Sequence, residues 1–222
     1  QVAQKLNRRW IGIDVTHLAI GLIKKRLAST FQDSVPPIAE TYQIIGTPKD
    51  MASAERLANE NTHQFQYWAL SLVDAQATVG MKKGADRGID GRIFFHEATG
   101  GDTKQIIFSV KSGQNIGVAE VRDLRGTLER EKADIGVYIS FAEPTKPMQR
   151  EAAEAGFYTS AGVSGAAGSK YPRIQLLTIK GLMEGTERLE RPLNVRDVTF
   201  RAAPKHRAKA ATSLDLRLAG EA

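Results

Sequence analysis

Residues 84–97, GADRGIDGRIFFHE, and residues 105–114, QIIFSVKSGQ, decide how this chain is read. Each holds a run of β-branched and aromatic residues, and the linking ATGGDT (98–103) has the Gly and Asp content of a turn, so an antiparallel hairpin is predicted. Strand side chains alternate, which puts Ser109 and Lys111 on one face and Phe108 and Val110 on the other. Asp90 stands at the start of the first strand. One carboxylate and one ammonium are therefore expected to converge, with Gly84, Gly88 and Gly91 leaving little side-chain bulk around Asp86 and Asp90.

The flanking sequence supplies helices and further strands. Upstream, residues 51–77 carry Leu57, Phe65, Trp68, Ala69 and Leu72 at helical spacing, with Asn59 to Thr62 as the candidate break. Downstream, VAEVRDLRGTLEREKA (118–133) is helical, IGVYISF (135–141) is a buried strand, TKPMQREAAEAG (145–156) is a helix stopped by Gly156, and YPRIQLLTIKGLMEG (171–185) is the last strand. AGVSGAAGSK (161–170) reads as a surface loop. The expected fold class is α/β, a central mixed sheet flanked by helices.

The remaining ends read differently. RRWIGIDVTHLAIGLIKKRLAS (8–29) suggests a strand from Trp10 to Ile13, then Asp14, then an amphipathic helix, which is half of a βα unit. Residues 31–50, with Pro36, Pro37 and Pro48, form a loop or hinge holding at most a short strand near Tyr42 to Ile45. Three parts are expected: 1–48, 49–190 and 191–222, the last a basic tail or docking arm containing Arg201, Lys205, His206, Arg207 and Lys209.

Composition narrows the function classes. The 222 residues are 41% hydrophobic and 25% charged, enough for a real core. With no cysteine, disulfide frameworks, thiolate nucleophiles, zinc ribbons and iron–sulfur clusters are excluded together, in keeping with a reducing cytoplasmic location. No apolar run approaches the roughly 20 residues of a membrane span, and QVAQKLNRRW (1–10) lacks the apolar stretch of a signal peptide. A net charge of +6 favours a polyanionic partner such as double-stranded DNA.

Hydrolysis of a phosphodiester at neutral pH calls for a hard cation, Mg²⁺ or Mn²⁺, held by one or two carboxylates, and for a group that positions water. Asp90 suits the first role and Lys111 the second. Taken alone, Asp90 also reads as a turn residue bonding its own backbone, and Lys111 as a solvated charge on an edge strand. Arg122, Arg125, Arg130 and Lys132 are placed to meet phosphates, and equally to pair with the interleaved Glu120, Asp123, Glu129 and Glu131. Lys82 and Lys83, just before the hairpin, are further candidates for DNA contact.

The motifs GADRGIDG, SVK and YISF, in this order from about Phe65 to Met183, resemble the Mrr-type branch of the PD-(D/E)xK restriction-endonuclease superfamily. That resemblance implies a restriction-endonuclease-like core, a divalent-metal site, and catalytic roles for Asp90 and Lys111. The sequence departs from the family pattern at Ser109, where Glu or Gln is usual. The metal then needs help from the Val110 carbonyl or from Glu60, Gln64 or Gln66 on the preceding helix, with Asp86 as an outer candidate. A homodimer with two-fold related sites is expected for cleavage of both strands. The alternative is a catalytically silent DNA-binding module serving a methyltransferase.

AQKLNRRWIGIDVTHLAIGLIKKRL (3–27) is similar to the strand and helix that follow the glycine-rich loop of amino-group DNA methyltransferases, with Asp14 at the ribose-binding position. The chain holds neither an F-x-G-x-G loop nor a D-P-P-Y or N-P-P-Y motif, so methyl transfer by this chain alone is not expected and no cofactor-binding residue is assigned. The segment is expected to be the trailing edge of a methyltransferase module.

Overall fold

The computed structural model describes residues 1–78, 88–97, 101–161, 168–192 and 196–199. A short helix α1 (Val2–Lys5) precedes α2 (His17–Thr30), and a 3-10 turn at Ile38–Glu40 leads to α3 (Met51–Glu60) and α4 (Thr62–Leu72). The strands β1 (Gln76–Ala77), β2 (Gly91–His96) and β3 (Lys104–Lys111) come next, then α5 (Val118–Glu131), β4 (Ile135–Ser140) and α6 (Lys146–Glu154). A two-stranded ribbon of β5 (Phe157–Thr159) and β6 (Lys170–Pro172) leads into β7 (Ile174–Thr178), α7 (Ile179–Glu184) and β8 (Arg196–Asp197).

The central sheet runs β1-β2-β3-β4-β7, with β8 also on β2. The hairpin forms as expected: β2 and β3 are antiparallel in the register Gly91↔Phe108 to Phe95↔Lys104. β4 lies parallel to β3 and β7 parallel to β4, so the sheet is mixed and β3 sits at its centre. Parallel neighbours need a crossover, and α5 and α6 supply the two.

Two apolar layers cover the faces of the sheet. On one, Ile93, Phe95, Ile106, Phe108 and Val110 pack with Phe65, Trp68 and Leu70 of α4. On the other, Ile107 and Tyr138 pack with Val121, Leu124 and Leu128 of α5 and Met148 of α6. Phe65 and Leu70 are essentially unexposed, and each such side chain contributes about 1.5–3 kcal/mol through removal of apolar surface from water. Phe65 also stacks on Phe141, just past β4, at 5.0 Å between ring centroids.

The helical break falls within the expected stretch. Asp50 caps α3 by accepting from Ser53 N–H at 2.7 Å. Asn61 ends α3 with an extended backbone and caps α4 by accepting from Gln64 N–H at 3.0 Å. One asparagine thus closes one helix and opens the next, because its short amide competes with the backbone for hydrogen bonds.

Several expectations are corrected. Residues 10–13 do not form a strand: Ile11 and Ile13 are about nine-tenths exposed, with no neighbouring backbone to pair with among the described residues. Tyr42 to Ile45, where at most a short strand was expected, carries none. The last expected strand is a strand followed at once by α7, because Thr178 turns the chain by capping Gly181 N–H at 2.9 Å. β1, β5, β6 and β8 are too short to register as periodic sequence. Part of the expected tail joins the sheet, with Arg196–Asp197 on β2 and Val198 N–H donating to Phe94 O at 2.9 Å. Residues 200–222 lie outside the described residues, as do residues 162–167 of the expected surface loop. Among the described residues no helix is long and apolar enough to cross a membrane.

Candidate active site

Asp90 is clamped by its own backbone. Its N–H donates to Phe108 O at 2.8 Å, and its carbonyl accepts from Thr78 N–H at 2.9 Å. Phe108 is also the register partner of Gly91, so two residues entering β2 oppose one residue of β3. Such a bulge re-aims the side chain that precedes it. Gly91 is required here by crowding: a Cβ would come within 2.6 Å of Leu70 Cδ2.

The re-aimed carboxylate lies just before β2 begins, alongside the last residues of β3. Its Oδ2 accepts from Val110 N–H at 2.7 Å and its Oδ1 from the Gln66 side-chain amide at 3.0 Å. Phe108 and Val110 are two residues apart on β3, so their peptide groups point to the same edge. The Val110 carbonyl is accordingly directed to the edge that carries Asp90. Gln66 lies on α4, one turn after the Asn61 cap, and its carbonyl oxygen remains an additional hard donor.

Ser109 and Lys111 emerge on the α5 face, as the alternation predicts, and line a cleft of about 530 Å³ with Gly88, Glu120, Arg122 and Asp123. Lys111 is exposed and makes no hydrogen bond or ion pair among the described residues; the Ser109 hydroxyl likewise has no hydrogen-bond partner there. β3 ends there beside its parallel neighbour β4, and the carboxyl ends of parallel strands are where α/β sheets commonly present ligand sites. A larger hollow of about 730 Å³, lined by Lys132, Asp134, Phe157 and Arg173, opens at the other end of the sheet and holds none of these residues.

The other candidates divide. Gln66 joins Asp90, whereas Gln64 is committed elsewhere, accepting from His17 N–H at 3.0 Å and tying α2 to α4. Glu60 is exposed at the end of α3, on the helix before the one that carries Gln66, and bonds no residue of the site. Asp86, Lys82 and Lys83 lie outside the described residues. Arg122 and Arg125 are not paired along their own helix: both reach Glu151 of α6, at 2.9 and 3.2 Å. These two guanidinium groups hold the Glu151 carboxyl below its ordinary range. Asp14 braces the start of α2, its Oδ1 accepting from Thr16 N–H at 2.9 Å while Thr16 caps Ala19 N–H.

Glu120, read from the sequence only as a charge interleaved with the arginines, also lines the cleft. It occupies the first turn of α5, where its Oε2 accepts from Gly117 N–H at 3.0 Å. The signal was a carboxylate three residues after a helix-starting glycine, half of a capping box.

The donors at Asp90 are its own carboxylate, the Val110 peptide carbonyl and the Gln66 amide carbonyl, all hard oxygens, which fits Mg²⁺ or Mn²⁺ and not a soft metal. Among the described residues no three His, Cys, Asp or Glu side chains gather, so a cation there would keep several waters.

A mixed central sheet flanked by helical layers is a restriction-endonuclease-like α/β fold. Residues 57–184 match the Mrr_cat family model, whose description is restriction endonuclease, and the chain belongs to that family. It is a nuclease of restriction-system type, and as such binds DNA. No curated protein and no solved structure matches it.

Proposed function

We propose that this chain hydrolyses phosphodiester bonds of double-stranded DNA with Mg²⁺ or Mn²⁺, using Asp90 and Lys111. The observation that carries the reading is the fastening of Asp90: Val110 N–H at 2.7 Å and Gln66 at 3.0 Å hold its carboxylate at the end of the strand whose next residue is Lys111. Asp90, the Val110 carbonyl and Ser109 would hold the cation. When bound, it lowers the pKa of a coordinated water and offsets charge on the phosphoryl oxygens.

The chain's own groups do the rest. Lys111, free of competing partners among the described residues, presents a cation to the attacking water or to the anionic phosphorane-like transition state. Preorganised charge of this kind counts for more in a cleft than in open water. Ser109 offers a hydroxyl to the same region. Gln66 keeps the Asp90 carboxylate from rotating, and Arg122 at the rim, 64% exposed, is available to a phosphate. A silent binding module would use Lys111 only as a phosphate contact and gives no role to a carboxylate fixed by two hydrogen bonds. A two-fold homodimer would pair two such sites across the duplex.

Plasmid nicking with Mg²⁺ and with Mn²⁺ tests the reading. Wild type is expected to cleave, and Asp90→Ala and Lys111→Ala to lose at least about a hundredfold in rate while still shifting duplex DNA on a gel. Cleavage unchanged in both variants would remove the assignment.

A further inference from the structure

The hollow of about 730 Å³ at the end of the sheet away from Lys111 is in the size range of small-molecule sites. Lys132 at the end of α5, Phe157 and Thr159 of β5, and Arg173 just before β7 line it. None of them takes part in the proposed cleavage.

Arg173 is held by its backbone and left open at its side chain. Its N–H donates to Gly156 O at 2.9 Å and its carbonyl accepts from Gly136 N–H at 2.8 Å, which fixes it between the start of the ribbon and β4. The residue is half-buried, yet its guanidinium makes no hydrogen bond or ion pair among the described residues. Arg92 and Arg125, also half-buried, are bound to Glu131 and Glu151. A guanidinium partly withdrawn from water keeps its charge and its fork of donors, whose natural partner is a carboxylate or a phosphate.

The carboxylates of the hollow do not answer that charge. Asp134 is already committed, accepting from Gln105 N–H at 2.9 Å and pairing with Lys104 at 3.5 Å. Glu129 is exposed and makes no ion pair among the described residues. Lys132, exposed and likewise unpaired there, adds a second cation. It ends α5 in the left-handed conformation, φ 52°, which favours glycine, so a charged side chain stands there at a conformational cost.

Phe157 supplies an apolar plane. Tyr158 and Tyr171 are register partners in the ribbon and pack on the core, so strand alternation turns Phe157 outward, 64% exposed. A ring in water beside two unanswered cations suits an anion that carries a flat aromatic group of its own.

We infer that this hollow binds a nucleotide, its base against Phe157 and its phosphate on Arg173 and Lys132, with Glu129 open to the sugar hydroxyls. The nucleotide arrives either free or as the end of a DNA strand. This second site stands apart from Asp90 and does not depend on the role given to it.

Equilibrium dialysis of the full chain against adenosine 5′-monophosphate tests it, in EDTA so that no metal recruits the phosphate elsewhere. The nucleotide is expected to bind more tightly than inorganic phosphate or adenosine. Arg173→Gln is expected to lower its affinity at least about tenfold, and Phe157→Ala at least about fivefold. Arg173 has no polar partner to lose and Phe157 is mostly exposed, so both melting temperatures are expected to stay near wild type. Lys132→Gln, on the surface, is expected to lower affinity about threefold and keeps the test open if Arg173→Gln fails to fold. A 5′-phosphorylated tetranucleotide separates the two sources. Affinity at least about tenfold above the mononucleotide, and sensitive to Arg173→Gln, marks a strand end; equal affinity marks the free nucleotide. Absence of binding by either probe overturns the inference, as does wild-type affinity in both Arg173→Gln and Phe157→Ala. Inorganic phosphate binding as tightly as the nucleotide also overturns it. So does loss in Lys111→Ala alone, which would move the nucleotide to the nuclease cleft.

Discussion

The Gln66 amide on α4 donates to Asp90 Oδ1 at 3.0 Å across 24 residues of sequence. Because α4 is pinned by buried Phe65, Trp68 and Leu70, the core fixes the direction from which this hydrogen bond arrives. Partners that orient a ligand side chain typically matter by about 10–100-fold. Gln66→Ala is therefore expected to lower the Mg²⁺-dependent nicking rate by that order while leaving duplex binding intact. Wild-type nicking in this variant would mean that the Val110 N–H alone orients the carboxylate.

Gly136 on β4 leaves room for two leucines of α5 against the sheet. A Cβ there would meet Leu128 Cδ1 at 2.8 Å and Leu124 Cγ at 3.3 Å. Gly136→Ala is expected to destabilise the fold by about 1–3 kcal/mol in urea denaturation, the usual range for overpacking. It would also push α5 outward and reduce cleavage more than Ala substitutions on exposed surface do. An unchanged midpoint would contradict this packing.

Acid is expected to weaken the sheet through Glu131. Its carboxyl is held below the ordinary value of 4.5, first by the hydrogen bond from Arg92, whose Nη2 lies at 2.8 Å, and then by Arg130. A carboxylate with a depressed folded value contributes its stability above the unfolded value and loses it as pH falls through the folded one. The melting temperature is thus expected to drop as pH goes from about 5 downward. Glu131→Gln should show a shallower drop over that window. An identical acid limb in the variant would assign the loss to other groups.

Glu151 restrains two arginines beside the cleft. Glu151→Gln releases Arg122 and Arg125, so duplex binding is expected to tighten and its dependence on salt to steepen, by at most about 0.9 per newly contacted phosphate. Measurement of Kd from low to moderate salt checks this. A parallel line with unchanged affinity would show that neither guanidinium reaches DNA.

The hairpin and its consequences were legible in the sequence because strand alternation is a local rule. Ser109 and Lys111 had to share a face once QIIFSVK was a strand, and the helices around it carried clear apolar periodicity. What was not legible depended on long-range partners. Trp10 to Ile13 has the composition of a strand, yet a strand needs a neighbour, and the described residues offer none. Gln66 and Gln64 were equivalent as letters; helix phase against the sheet sent one to Asp90 and the other to α2. The pairing of Arg122 and Arg125 with Glu151 required knowing that α6 packs beside α5, and local charge spacing pointed instead to their own helix. The bulge at Asp90 and Gly91 shows only as two residues sharing Phe108 O, which no composition signals.

One contact at the centre of the fold has an effect on which positions are open to change. Val110 meets Asp90 through its peptide nitrogen, while its side chain is buried in the layer between the sheet and α4. Exchanging valine for another residue alters only how that layer fills and cannot delete the donor. The anchor that orients the acidic group is thus immune to ordinary point substitution at position 110, and losing it takes a slipped register or an imino acid.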